Sequence, residues 1–204
     1  MSTLVQAIAP ARERTRSHVA VMAALAVAGS VLMGGLAQWT IKLPFTPVPI
    51  TGQTLGLLLI GAALGPLWGT ISMLLYLIEG GLGLHFFAQG AHGWATLTLA
   101  TPSGGYLWSY PVAALIVGWL ADRGWDRTMR SSISAMLIGE IVVYAFGIPW
   151  LMASLHISFD KALVLGLYPF IIGDTLKLFV AAGLLPAAWR LTGRGSDDEP
   201  RKRP

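Results

Sequence analysis

Asp174 and Lys177 stand three residues apart in the stretch Tyr168-Pro169-Phe170-Ile171-Ile172-Gly173-Asp174-Thr175-Leu176-Lys177-Leu178-Phe179-Val180, which is otherwise apolar enough to lie in a bilayer. On a helix that spacing puts both side chains on one face. Taking ionisable groups to such a depth is expensive, so the pair has two readings: a structural ion pair whose members neutralise each other, or a site that meets a polar solute. Glu140, in Ile138-Gly139-Glu140-Ile141, is a further charge at membrane level that either counters Lys177 or faces a polar crevice, and the sequence does not choose between them. Other chemistry is excluded or disfavoured. The chain has no cysteine, which removes disulfides, thiol catalysis and thiolate metal ligation. Its histidines, His18, His85, His92 and His156, lack helical metal-ligand spacing, so neither a metal site nor any other cofactor is expected.

The elements that must hold these groups are set by the distribution of charge. Hydrophobic residues make up 54% of the 204 positions and charged residues 12%, far from a soluble globule. No Asp, Glu, Lys or Arg occurs between Arg16 and Lys42, between Lys42 and Glu79, or between Glu79 and Asp122. Each gap is long enough for the roughly 17 to 25 residues that a spanning helix needs, so the chain reads as a polytopic membrane protein. The formal net charge of +4 then reflects basic ends and loops at a cytoplasmic face with anionic lipids, and is poor evidence for nucleic acid. Residues 1–16 lack the apolar core and small-residue cleavage site of a signal peptide, so the first span is expected to remain.

A first helix is predicted from about Val19 to Trp39, preceded by Arg12, Arg14 and Arg16, which puts the N terminus in the cytoplasm. Others are predicted for about 104–121, 131–151 and 162–189. The stretch 53–78 reads either as one long helix or as a hairpin of two short arms broken at Gly65-Pro66. Parity favours the hairpin, because only an even count places Arg123, Arg127, Arg130 and the basic tail on one side. The short arms weigh against it, and a single pass followed by another through 84–99 is the rival. The expected fold is thus an all-α integral membrane protein of six transmembrane helices with both termini cytoplasmic: a segment 1–18, a membrane domain 19–190 and a disordered tail 191–204. Between Glu79 and Ser103 the breakers Gly80-Gly81, Gly83, Gly90, Gly93 and Pro102 argue for irregular backbone, which survives at membrane depth only when buried in protein or lining a cavity. This segment and a proline-rich outer loop are expected to form a lid. Asp174 is expected about a dozen residues, or about 18 Å, inside the last helix and near the midplane.

Pro44, Pro47 and Pro49 hold that outer loop extended, and Thr46, Thr51, Gln53 and Thr54 surround it with neutral hydrogen-bonding groups. A loop of this kind serves as a rigid connector or as a binding lid. The string Thr46-Pro47-Val48-Pro49-Ile50-Thr51 with Gln53-Thr54-Leu55-Gly56 resembles the BioY family, the biotin-specific S components of energy-coupling-factor (ECF) transporters. Further matches follow in Gly80-Gly81-Leu82-Gly83-Leu84 with Phe87-Ala88, in Pro102-Ser103-Gly104-Gly105-Tyr106-Leu107, and in Pro169 to Lys177. Thr101 and Ser103 depart from the Gly-Pro-Thr usual in the family, and His85 stands where a proline is common.

The resemblance implies a substrate-binding membrane subunit whose ligand is biotin. Biotin asks for acceptors to two ureido N–H groups, a donor to the ureido oxygen, an apolar slot and a cation for its carboxylate. Asp174, Gln53 and Gln89 can serve the first needs, Lys177 suits the carboxylate, and Tyr106, Trp94 and Trp108 offer ring surface, with Thr46 in the loop. Trp and Tyr also collect at membrane interfaces, and Tyr106 is favoured because it lies in a matched motif. Which polar group meets which end of the ligand is left open. Ala20, Ala24 and Ala28 recur at four-residue spacing, a face that permits close helix approach. In the family such a stripe docks the transmembrane coupling subunit, which makes Ala20 and Ala24 candidates for that contact.

No phosphate loop of the Gly-x4-Gly-Lys-Ser/Thr type is present, so ATPase subunits would be separate chains. An integral membrane enzyme is disfavoured by the lack of His-Glu-x-x-His and Gly-x-Ser-x-Gly motifs. A self-sufficient secondary carrier for this or another small vitamin would want inverted repeats or coupled ion sites, which are not evident.

Overall fold

The computed structural model describes residues 3–5 and 16–191. Its helices are α1 (Arg16–Gln38), α2 (Gln53–Gly81), α3 (Gly104–Asp122), α4 (Met129–Leu155), α5 (Phe159–Gly166) and α6 (Ile171–Leu191). Strands β1 (Thr40–Ile41) and β2 (Ile50–Thr51) join α1 to α2, and two 3-10 turns, Ala88–Gly90 and Trp94–Leu97, occupy the stretch before α3. All the helices except α5 are long and apolar enough to cross a membrane, the pattern of a multi-pass membrane protein. The tail expected at 191–204, apart from Leu191, and most of the segment 1–18 lie outside the described residues.

Helix α2 is not straight. Gly65 takes φ 80° and ψ −177°, a conformation essentially reserved for glycine, and Pro66 follows without an amide hydrogen. The helix folds back there into two antiparallel arms, 53–64 and 66–81, about 18 Å and about 24 Å long at the usual rise. The arms touch where both are glycine: a Cβ placed at Gly69 would stand 3.0 Å from the Gly61 Cα. The Gln53 Nε2 donates to the Tyr76 hydroxyl at 2.5 Å, a contact that a straight helix would stretch to about 34 Å. The hairpin, and not the single long helix, is what this chain adopts. The rival crossing through 84–99 is absent, since that stretch holds only the two short turns.

Small residues let the neighbours close on the hairpin. Gly118 of α3 sits against the bend, where a Cβ would come 2.8 Å from the Gly61 carbonyl oxygen. Ala113, Ala114 and Val117 beside it are fully buried. With lipid outside instead of water, close van der Waals contact of this kind and interhelical hydrogen bonds are what hold helices together. One such bond runs from Ser72 Oγ to the Ala26 carbonyl on α1, at 2.9 Å.

The last predicted helix, 162–189, is corrected to two. Residues 167–170 interrupt it, because Pro169 lacks an amide donor and disfavours the α region for Tyr168. The carbonyl of Gly166 finds its partner elsewhere, in the Tyr106 hydroxyl at 2.8 Å. Asp174 therefore lies in the first turn of α6, and the expectation that it sits a dozen residues inside the helix is overturned.

Candidate functional site

A cavity of about 520 Å³ opens at the end of the bundle where α2, α3 and α6 begin. Its volume falls in the range of about 300–1,000 Å³ usual for small-molecule sites. Two segments cover it. The proline loop contributes Pro47, Val48 and Pro49. It is drawn into a ribbon by antiparallel pairing of Thr40 with Thr51 and of Ile41 with Ile50. The cap between α2 and α3 contributes residues 87–92. Gln38 pins this cap to α1: its Nε2 donates to the carbonyls of His85 at 3.1 Å and Phe87 at 3.2 Å, and its Oε1 accepts from the Gly90 amide at 3.0 Å. Within the cap Gln89 is held at φ 63°, a left-handed conformation that costs a non-glycine residue about 1–2 kcal/mol.

The polar wall is a closed network. Lys177 Nζ donates to Asp174 Oδ1 at 2.9 Å and to Thr54 Oγ1 at 3.1 Å, and Thr54 Oγ1 donates in turn to Asp174 Oδ1 at 3.2 Å. The Tyr144 hydroxyl donates to Asp174 Oδ2. Asp174 is 7% exposed, so the carboxylate is largely withdrawn from water and held by three side-chain donors. The pair carries no net charge and presents a donor next to an acceptor. Around it the wall is apolar or aromatic: Val143, Leu107, Phe170, Tyr106 and Tyr110. Tyr106 is seated by Gly147 of α4, because a side chain there would occupy the space of its ring.

Of the residues singled out from the sequence, Gln53, Gln89, Tyr106, Asp174 and Lys177 line the cavity. Thr46 and Trp94 do not appear on its wall. Thr46 is spent on architecture, accepting from the Val48 amide at 3.2 Å and donating to the Leu165 carbonyl at 2.5 Å, which ties the proline loop to α5. Trp94 is half exposed and covers Gly81 from outside the cavity. Trp108 likewise serves the cap, its indole donating to the Leu97 carbonyl at 2.9 Å. Ala20 and Ala24 are exposed on α1, away from the cavity.

Sequence reasoning missed Tyr144. The signal available was its place one turn after Glu140, a second polar group on a helix that is otherwise apolar there. Glu140 itself is 5% exposed, does not line the cavity, and among the described residues has no hydrogen-bond partner for either carboxylate oxygen. Lys177 is not its ion-pair partner, since that ammonium is engaged by Asp174 and Thr54.

Residues 8–194 match the family model described as the BioY family. The chain is 37% identical to the biotin transporter BioY of Rhizobium etli over 169 residues, covering 79% of this chain and 88% of that one. It is also 37% identical to a probable biotin transporter BioY of Pyrococcus horikoshii, over 75% of this chain and 86% of the other. Among solved structures, the S component for biotin from an ECF-type ABC transporter aligns with a TM-score of 0.76 at 25% identity, covering 87% of this chain and 95% of that one. By sequence along nearly its whole length, and by the arrangement of its helices, this chain belongs to the BioY family.

Proposed function

We propose that this protein is the biotin-binding S component of a vitamin uptake transporter in a prokaryotic cell membrane, a transport subunit and not an enzyme. The observation that carries the reading is the neutral Asp174–Lys177 pair, braced by Thr54 and Tyr144 on the wall of an otherwise apolar cavity. A cyclic urea offers N–H donors beside a carbonyl acceptor, and the pair offers an acceptor beside a donor. A carboxylate would suit this wall less well, because Asp174 stands within 2.9 Å of Lys177, the only lysine on it among the described residues. We therefore assign the ureido ring to Asp174 and Lys177, with Gln53 beside them and the Tyr106 and Tyr110 rings along the apolar body.

In the same reading the hairpin arms of α2 count separately, giving six membrane helices with both ends cytoplasmic, in keeping with the basic segments. The ECF transmembrane coupling subunit would meet α1 at the exposed small residues Ala20 and Ala24, and ATPase subunits would supply the energy.

Calorimetry on purified, detergent-solubilised protein is expected to show one biotin bound per chain without nucleotide. Heat with a different vitamin and none with biotin would overturn the substrate. For topology, a cysteine at Phe45, which is 60% exposed on the proline loop, is expected to react with an impermeant reagent in intact cells. Labelling only after permeabilisation would reverse the orientation.

A further inference from the structure

None of the described residues of α1 lines the cavity, yet both of the cavity's covers are rooted in that helix's last turn. The proline loop returns to it through Gly52, whose amide donates to the Leu36 carbonyl at 3.1 Å and to the Trp39 carbonyl at 3.2 Å. The cap is mounted by Gly34 and Gln38, which stand one turn apart on the same face. The Phe86 ring lies on Gly34, where a Cβ would come 2.8 Å from it. Gln38 holds the carbonyls of His85 and Phe87 and the amide of Gly90, and its Nε2 also reaches the Gly34 carbonyl of its own helix at 3.1 Å. On the other side Tyr76 donates to the Phe86 carbonyl at 3.3 Å, and the buried Phe87 ring stands edge-on to Tyr76 at 5.5 Å. Among the described residues, 85–91 make no hydrogen bond to α3, α4 or α6, the helices whose side chains form the polar and aromatic wall. The cap therefore belongs mechanically to α1 and the second arm of α2, and the cavity is the space between it and that wall.

We infer that Gln38 is the latch of a gate made by cap residues 84–92, a positioning residue that sets how fast ligand enters and leaves and not how tightly it is held. The gate has a hinge at each end. Gly83 at φ 115° and Gly93 at φ 83° flank the segment, and at both a Cβ would meet nothing within 4 Å, so their backbones are free to turn. Phe87 in its socket keeps the cap seated, which makes opening a rare event whose frequency limits exchange. Gln38 lies off the wall, so its bonds to the cap are the same whether or not a ligand occupies the cavity. Breaking them lowers the cost of opening equally in both cases. A change with no preference between the two states leaves their equilibrium where it was and alters only the rates between them.

The test takes biotin as the ligand, the reading on which this step rests, and measures its association by rapid mixing and its dissociation by chase with unlabelled biotin on the purified full chain. In Gln38→Leu, close in size but unable to hydrogen-bond, both rates are expected to rise about tenfold, the factor that the loss of roughly one net hydrogen bond gives, while the dissociation constant moves by less than about threefold. Gly34→Ala reaches the same mount by another route, pushing the Phe86 ring off α1 without removing a polar group, and is expected to show the same paired rise. Unchanged rates in Gln38→Leu would overturn the proposal. So would faster dissociation with association unchanged or slowed, because a distorted site loses affinity whereas a loosened gate does not. Should Gln38→Leu not fold, Gly34→Ala decides alone by the same criteria. If the wild-type chain binds no biotin, the biotin reading has failed and takes this step with it, an outcome distinct from rates that do not move.

Discussion

Gln53 opens the first arm of the α2 hairpin, Tyr76 stands on the second, and the two are joined by a 2.5 Å hydrogen bond. Thr51 Oγ1 donates to Gln53 Oε1 at 2.9 Å, so the side-chain amide is engaged at both ends before any ligand arrives. Tyr76 is completely buried and continues the chain of bonds to Phe86 in the cap. One fully enclosed hydroxyl thus connects the wall of the site to its cover.

Tyr76→Phe should therefore cost stability as well as affinity. It strands the Gln53 amide and the Phe86 carbonyl without changing the ring, and an orphaned buried polar group costs about 1–3 kcal/mol. Thermal unfolding in detergent should show the loss, with biotin binding weakened alongside. A variant that matches the wild type in both would remove Tyr76 from this role.

Asp174→Asn alone leaves Lys177 as a partly buried cation whose counter-charge is gone, a change expected to destabilise the fold by less than the about 3–5 kcal/mol of a fully buried pair. Replacing both residues, as in Asp174→Leu with Lys177→Met, removes the stranded charge and should be tolerated by the fold, yet biotin binding should disappear. Lys177→Met alone should weaken biotin and biotinamide, its neutral carboxamide, equally, because the lysine is assigned to the ureido end. A larger loss for biotin would return the carboxylate to Lys177.

Ala24 faces outward on α1 and touches no part of the cavity. Ala24→Leu should leave biotin binding intact while ATP-driven uptake with the coupling and ATPase subunits is lost, since added bulk blocks close helix approach. Normal uptake would make that face ordinary lipid-exposed surface.

Asp126, in the connection between α3 and α4, is fully buried and accepts from the Trp189 indole at 2.6 Å, which staples that connection to the end of α6. Burial pushes its carboxyl up to about 6, against about 3.9 when unfolded. The folded state therefore holds the proton more tightly. This contribution to stability is fully present below about pH 4 and is lost as the pH rises through about 6, a change of about 1–3 kcal/mol. Asp126→Asn should remove it, so the difference between the two unfolding curves should grow across that window and level off above it. Parallel curves would show that Asp126 does not titrate there.

What the sequence settled by itself was whatever depends on local composition. Long runs without charge dictate membrane helices because burying charge in lipid is costly, and the predicted spans 19–39, 104–121 and 131–151 fall within a few residues of α1, α3 and α4. Gly65-Pro66 announced a break because only glycine accepts the backbone found there, and the Asp174/Lys177 spacing announced a shared face. Which groups meet across the bundle is a different kind of fact. Thr54 reaches Asp174 over 120 positions and Tyr144 over 30, and Thr46 reaches Leu165 over 119. No local preference encodes such pairings. They follow from how closely helices approach, which small residues such as Gly61, Gly69, Gly118 and Gly147 permit only once the whole bundle is assembled. Tertiary packing therefore decided that Tyr144 belongs to the site, that Thr46 holds the loop instead of lining the cavity, and that Asp174 opens the last helix instead of lying deep within it.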